Sequence, residues 1–292
     1  MGKILYTESL TKEYGKKRII DSISMNIKEG EIYGFVGKNG AGKSTTMRML
    51  CGLAYPTSGK IIMDSKLLPS YSKIGALIES PGLYYNMTAI DNLSYKAIML
   101  GCNTKDELKE ILKSVGLDSN LKTKVKDFSL GMKQRLGIAI ALVGSPNLMI
   151  LDEPINGLDP QGIAEVRDVL LDLNKKGITI MISSHILTEL YKVATNYGFI
   201  SRGKLLLEIT KDNLDKKCSG KCLLTVNNVD KAKMILSDFD IEHSNNNDSI
   251  ILNNVDNRSD AINLLVKNGI NILNISIEET SLEDFYFDIC KE

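Results

Sequence analysis

The stretch GKNGAGKST, Gly37 to Thr45, follows the apolar run EIYGFV and fits the pattern G-x-x-x-x-G-K-[ST]. In such a loop Gly37, Asn39, Gly40, Ala41 and Gly42 let backbone N–H groups curl around phosphate oxygens, and the helix that starts near Lys43 adds its positive end. Lys43 is expected to meet the β- and γ-phosphates of a nucleoside triphosphate. Ser44 is expected to ligate Mg²⁺, and Thr45 completes the nucleotide-binding set. A second apolar run, LMILDEP, delivers Asp152 and Glu153 to the mouth of a sheet. Asp152 suits a Mg²⁺ held through a water, and Glu153 suits orienting and polarising an attacking water. A third acid, Glu79, ends the short run Ala76-Leu77-Ile78 just before Ser80-Pro81-Gly82. On its own that is ordinary turn chemistry.

The elements that must hold these residues are legible from periodicity. Residues 4 to 36 have the texture of strands, with turns at Tyr14-Gly15 and Glu29-Gly30, and a helix follows the glycine-rich loop. Two capping-box starts, Thr88-x-x-Asp91 and Thr104-x-x-Glu107, open a helical insert spanning about residues 80–145. Leu108, Ile111, Leu112 and Val115 line one face of its second helix. Strands return at NLMILDEP and ITIMISSH, with an amphipathic helix carrying Ile163, Val166, Val169, Leu170 and Leu173 between them. That alternation predicts parallel strands joined by crossover helices.

Beyond about residue 210 the texture turns to Asn, Asp and Lys. The pattern predicts strand (Cys222–Val226), helix (Val229–Ser237), strand (Ile241–Ser244), strand (Ile250–Asn253), helix (Ser259–Lys267) and strand (Ile270–Ser276), with a turn at SNNND. This β-α-β-β-α-β order is that of a small ferredoxin-like domain. A terminal helix from Ser281 would pack Leu282, Phe285 and Ile289 on one face. The expected organisation is therefore an α/β nucleotide-binding domain over 1–210 and an α+β accessory domain over 211–292.

A chain of 292 residues has room for both. The 36 basic residues cancel the 36 acidic ones, which gives no electrostatic footprint for nucleic acid. Five scattered cysteines form no metal-ligand pattern and are expected to be reduced thiols, as in a cytoplasm. The start, MGKILYTESL, is expected to be neither a secretory leader nor a myristoylation site. No run approaches the roughly 18 to 20 apolar residues that span a bilayer, so membrane work would need a second chain.

The order of these motifs resembles the ATP-binding subunit of an ABC transporter over roughly residues 1–210. FSLGMKQRLGIAIAL is similar to that family's signature, with Ser129, Leu130, Gly131 and Met132 in the matching places, although Met132 and Lys133 replace the usual Gly and Gln. Apart from the resemblance, Ser129 reads as a helix cap with Gly131 in the first turn, and such a start either binds an anion or simply opens a capped core helix. NGLDP resembles the D-loop, carried by Gly157, Leu158 and Asp159; the same residues also read as a turn with Asp159 capping a helix and Pro160 at its first position. His185 matches the switch histidine that contacts the γ-phosphate, and Tyr14 the aromatic that stacks on adenine. Glu79 stands where the family usually carries a Gln whose oxygen reaches Mg²⁺ and whose loop touches the permease.

The resemblance implies ATP and Mg²⁺ as ligands and a head-to-tail homodimer, each signature closing over the partner's ATP. It further implies separate membrane permease subunits and a peripheral location on the cytoplasmic face of the membrane. Glu79, the SPGLYYNMTAIDNL after it and SLGM look like the subgroup that exports lantibiotics or confers bacitracin-type resistance. A generic multidrug or lipid exporter and a non-transport regulatory ATPase are the other readings. The C-terminal domain reads either as a ligand-sensing module or as an appendage for dimerisation or permease docking.

Overall fold

The computed structural model describes residues 2–65, 73–102, 104–218, 221–239, 241, 243–246, 249–252, 258–278 and 281–291. Contacts divide the chain into two compact units, Met1–Lys211 and Asp212–Glu292.

The first unit runs β1 (Lys3–Tyr14), β2 (Lys17–Ile23), β3 (Asn26–Lys28), β4 (Ile32–Val36), α1 (Lys43–Leu50), β5 (Ser58–Met63) and β6 (Ile74–Leu77). It continues with α2 (Ala89–Leu100), α3 (Lys105–Ser114), α4 (Leu130–Leu142), β7 (Leu148–Asp152), α5 (Pro160–Lys175), β8 (Thr179–Ser184), α6 (Leu187–Tyr191), β9 (Asn196–Ser201) and β10 (Lys204–Thr210). Strands β2, β1 and β3, with β5 on β1, form an antiparallel sheet. The other sheet has the order β10-β9-β4-β8-β7-β6 and is parallel except for the β9–β10 pair.

Every residue of β4, β7 and β8 is buried, as expected for parallel strands covered on both faces. That is why their sequences read as continuous apolar runs rather than alternating ones. The core beneath the antiparallel strands joins Leu5, Leu10, Ile20 and Ile23 to Met47 and Leu50 of α1 and to Ile150 and Met181 of the parallel sheet. Helix α1 is thereby clamped between the two sheets, and with it the loop it terminates.

The insert is α2, α3 and α4. Both capping boxes form: Thr88 Oγ1 accepts from Asp91 N, and Thr88 N donates to Asp91 Oδ2, each at 3.3 Å. Thr104 and Glu107 repeat the exchange at 2.5 and 3.3 Å. A cap of this kind is worth about 1 kcal/mol, enough to set where a short helix begins.

Helix α7 (Lys211–Cys218) leads into the second unit: β11 (Lys221–Val226), α8 (Val229–Asp238), β12 (His243–Asn246), β13 (Ser249–Leu252), α9 (Arg258–Lys267), β14 (Ile272–Glu278) and α10 (Leu282–Ile289). Its antiparallel sheet has the order β12-β13-β11-β14, the ferredoxin-like arrangement, over a core of Cys222, Leu224, Leu236, Ile250, Leu252 and Leu265. The strand expected at Ile241–Ser244 runs instead over His243–Asn246, because pairing of His243 with Leu252 and Asn246 with Ser249 fixes the register. Of the turn expected at SNNND, Ser244, Asn245 and Asn246 belong to β12, and Asn247 and Asp248 lie outside the described residues, as does Asn253. In α10 the buried pair is Phe285 and Tyr286, with Leu282 and Ile289 half-buried.

All five cysteines are free thiols. Among the described residues, no helix is long and apolar enough to cross a membrane.

Candidate functional site

Four neighbouring parallel strands, β4, β8, β7 and β6, end on the same edge of the sheet. The loop of Gly37 follows β4, His185 follows β8, Asp152 ends β7 with Glu153 just after it, and Glu79 lies two residues past β6. The sheet thus gathers four segments separated by as many as 148 positions into one mouth, where open α/β sheets bind ligands.

Two glycines of the loop are required by space and backbone. A Cβ on Gly37 would lie 2.6 Å from the Ile200 carbonyl oxygen of β9. Gly42 caps α1 at φ +112°, where a Cβ would also meet Ile20 at 2.5 Å. Asn39 and Gly40 are exposed at the loop tip, Ala41 is buried, and Ser44 and Thr45 are half-buried in the first turn of the helix.

Lys43 is only 6% exposed. A buried ammonium must be compensated, and here its Nζ donates to the Gly37 carbonyl at 2.6 Å and lies 3.2 Å from Glu153 Oε1. The second oxygen of Glu153 meets His185 Nδ1 at 2.6 Å. Facing a carboxylate, that ring nitrogen is the one that carries a proton. Glu153 itself sits at φ +51°, an uncommon conformation for a residue with a side chain, and Ser183 pins its backbone. The Ser183 hydroxyl accepts from Glu153 N at 2.9 Å and donates to Asp152 Oδ1 at 2.6 Å. Ser183 is wholly buried and Asp152 is 2% exposed, so one side chain on β8 fixes both acids of β7. Next to them, burial and then the Asp152 charge push the Cys51 thiol up to about 12.

Glu79 also has a left-handed backbone, φ +63°. Its Oε1 accepts from the guanidinium of Arg48 on α1. The loop that follows is tied to α4 and the segment before it: Met87 and Tyr85 carbonyls accept from Val125 and Lys126 N at 2.9 Å, and Lys133 Nζ of α4 stands 5.7 Å over the Tyr85 ring. Tyr14, at the end of β1, is 53% exposed, and Lys12 Nζ lies 4.8 Å from its ring centre while donating to the Tyr55 carbonyl at 2.6 Å.

Ser129 caps α4 by accepting from Met132 N at 3.2 Å, and Asp159 caps α5 by accepting from Gly162 N at 2.9 Å. Together with Leu130, Gly131, Met132 and Arg135, these residues line a cleft of about 500 Å³ whose other wall is residues 157–165. Its lining includes no residue of the 37–45 loop.

Lys43, Asp152, Glu153 and His185 are therefore brought together, Glu79 is paired with α1, and the 129–132 segment joins Asp159 at a different cleft. Sequence reasoning missed Ser183, Arg48 and Lys12. For Ser183 a signal existed: two serines, both fully buried, end the apolar run ITIMISS.

The sequence profile of the "ABC transporter" family matches residues 20–156. The bacitracin transport ATP-binding protein BcrA of Bacillus licheniformis is 44% identical over 296 residues, covering 98% of this chain and 97% of that protein. The lantibiotic transport ATP-binding protein SrtF of Streptococcus pyogenes is 49% identical over 207 residues, 70% of this chain and 90% of its own length. Among solved structures, cbiO1 from Clostridium perfringens, part of the ABC transporter complex cbiONQ, superimposes with a TM-score of 0.66 at 29% identity over 73% of this chain and 91% of that one. With likeness of this depth carried from end to end, the chain belongs to the ABC transporter family, as an ATP-binding subunit whose α/β domain hydrolyses ATP.

Proposed function

We propose that this chain is the motor of a membrane exporter that removes lantibiotics or other peptide antibiotics, protecting the cell that makes or meets them. The observation that carries this reading is the reach of the likeness to BcrA, which spans 98% of the chain and so includes the second unit as well as the ATPase domain.

In this reading the loop N–H groups and Lys43 hold the ATP phosphates and Tyr14 stacks on adenine. Ser44, Asp152 and Glu79 present a hydroxyl and carboxylates, an all-oxygen donor set that suits Mg²⁺. The buried Asp152, with Oδ1 committed to Ser183, fits a site that receives a cation. When bound, the cation neutralises charge on the phosphates. Lys43 leaves Glu153 for the phosphates, which frees Oε1 to take a proton from the attacking water. His185 keeps the carboxylate aimed through Oε2 and reaches the γ-phosphate. Ser129 and its helix start, with Asp159, close over the ATP of a second copy, so the working unit is a homodimer. The Glu79 loop and the helical insert pass closure to a separately encoded permease. The chain acts peripherally at the cytoplasmic face of the membrane.

The test is purification of the Glu153→Gln chain from native membranes with ATP and Mg²⁺, together with antibiotic tolerance after gene deletion. A co-purifying polytopic membrane protein and lost tolerance to bacitracin or a lantibiotic are expected. Soluble partners alone, or unchanged peptide tolerance with lost tolerance to lipophilic drugs, would overturn the peptide-exporter reading.

A further inference from the structure

Helix α1 has one half-exposed face, made by Ser44, Thr45 and Arg48, while Thr46, Met47, Met49 and Leu50 are buried. Ser44 and Arg48 are four residues apart, so Arg48 stands one turn below Ser44 on the same face. It is Arg48 that receives Glu79. The carboxylate reaches this position from a different strand, off a backbone held at φ +63°. A third carboxylate at a mouth that already holds Asp152 and Glu153 would repel an incoming triphosphate unless it were neutralised. The guanidinium supplies that neutralisation, and both partners keep enough exposure, 34% for Arg48 and 64% for Glu79, to separate without opening the core.

We propose that Arg48 is a positioning residue for Glu79. It parks the carboxylate one turn from Ser44 and yields it to the metal side of the site when nucleotide and Mg²⁺ are in place. Arg48 thereby sets how strongly Mg²⁺ tightens nucleotide binding. The exchange is felt beyond the site, because the far end of the Glu79 loop is fastened through Met87 and Tyr85 to residues 125 and 126, just before α4, and through Tyr85 to Lys133 of α4. This inference rests on the reading of Glu79 as a residue of the metal side.

The experiment measures binding of a fluorescent non-hydrolysable ATP analogue to the full chain, once with Mg²⁺ and once with EDTA, and takes the ratio of the two dissociation constants. Removing Arg48 leaves a bare carboxylate that weakens binding in EDTA but is neutralised by Mg²⁺. Arg48→Ala is therefore expected to raise the ratio about two- to fivefold, the scale of one exposed ion pair. Arg48→Lys should restore most of the native ratio, and Arg48→Ala should have no effect when Glu79→Ala is also present. A ratio that Glu79→Ala changes but Arg48→Ala does not, or an Arg48→Ala effect that persists without Glu79, overturns the role of Arg48. A ratio indifferent to Glu79→Ala removes Glu79 from the metal side, and the proposal falls with that reading.

Discussion

Glu153 and His185 leave adjacent parallel strands and meet at 2.6 Å, Oε2 to Nδ1. The imidazole thus holds the carboxylate from the side opposite Lys43. A hydrogen bond to a charged group is worth about 1.5–3 kcal/mol, so His185→Ala should lower kcat by roughly 10- to 150-fold. Steady-state ATPase kinetics with KM for ATP changed less than kcat would match this role. A KM effect alone would assign His185 to ground-state binding.

Glu153→Gln keeps the shape of the side chain but removes the proposed proton acceptor and the counter-charge of Lys43. Phosphate release should fall about 10²- to 10⁴-fold, the range of a general base. ATP should remain on the protein and recover intact after gel filtration. Native turnover in this variant would exclude Glu153 as the base.

Ser183→Ala deletes the one side chain that bridges both acids. It leaves the buried Asp152 carboxylate and the Glu153 N–H each short of a partner, at about 1–3 kcal/mol per group. A lower thermal midpoint without nucleotide is expected, together with slower hydrolysis. Ser183→Thr, which keeps the hydroxyl, should recover part of both. Equal melting of Ser183→Ala and the native chain would mean that the two hydrogen bonds contribute little.

The Cys51 thiol, held up to about 12 by burial and by Asp152, makes a prediction about pH. At pH 8 only about one thiol in 10⁴ is ionised, against roughly a quarter for an ordinary cysteine. Peptide mapping after iodoacetamide should show Cys51 reacting at least ~10³-fold more slowly in the native chain than in urea. Because the folded pKa is raised, the stability linked to this thiol is complete below about pH 8.5 and is lost as pH climbs towards 12.

What the sequence announced was local. The 37–45 loop, the acids ending LMILD and the two capping boxes are each written within ten consecutive residues, and their geometry follows from short-range backbone chemistry. Arg48 could not be matched to Glu79 in this way, since the pair spans 31 positions and exists only because β6 ends beside α1. Likewise β9, absent from the expectations, joins the parallel sheet by non-local pairing to β4, and β10, also absent, follows as its antiparallel neighbour. The two-residue shift of the strand at His243 has the same origin, as polar asparagines give little local preference and the partner strand decides.

Glu79 and Glu153 share a left-handed backbone, where glycine or asparagine would rest without strain. A laboratory lineage selected for heat resistance alone, with no demand for ATP turnover, should therefore accumulate Gly or Asn at both positions. The same lineage held to antibiotic survival should retain both acids. The difference between the two lineages would record, position by position, how much folding comfort this chain surrenders to its chemistry.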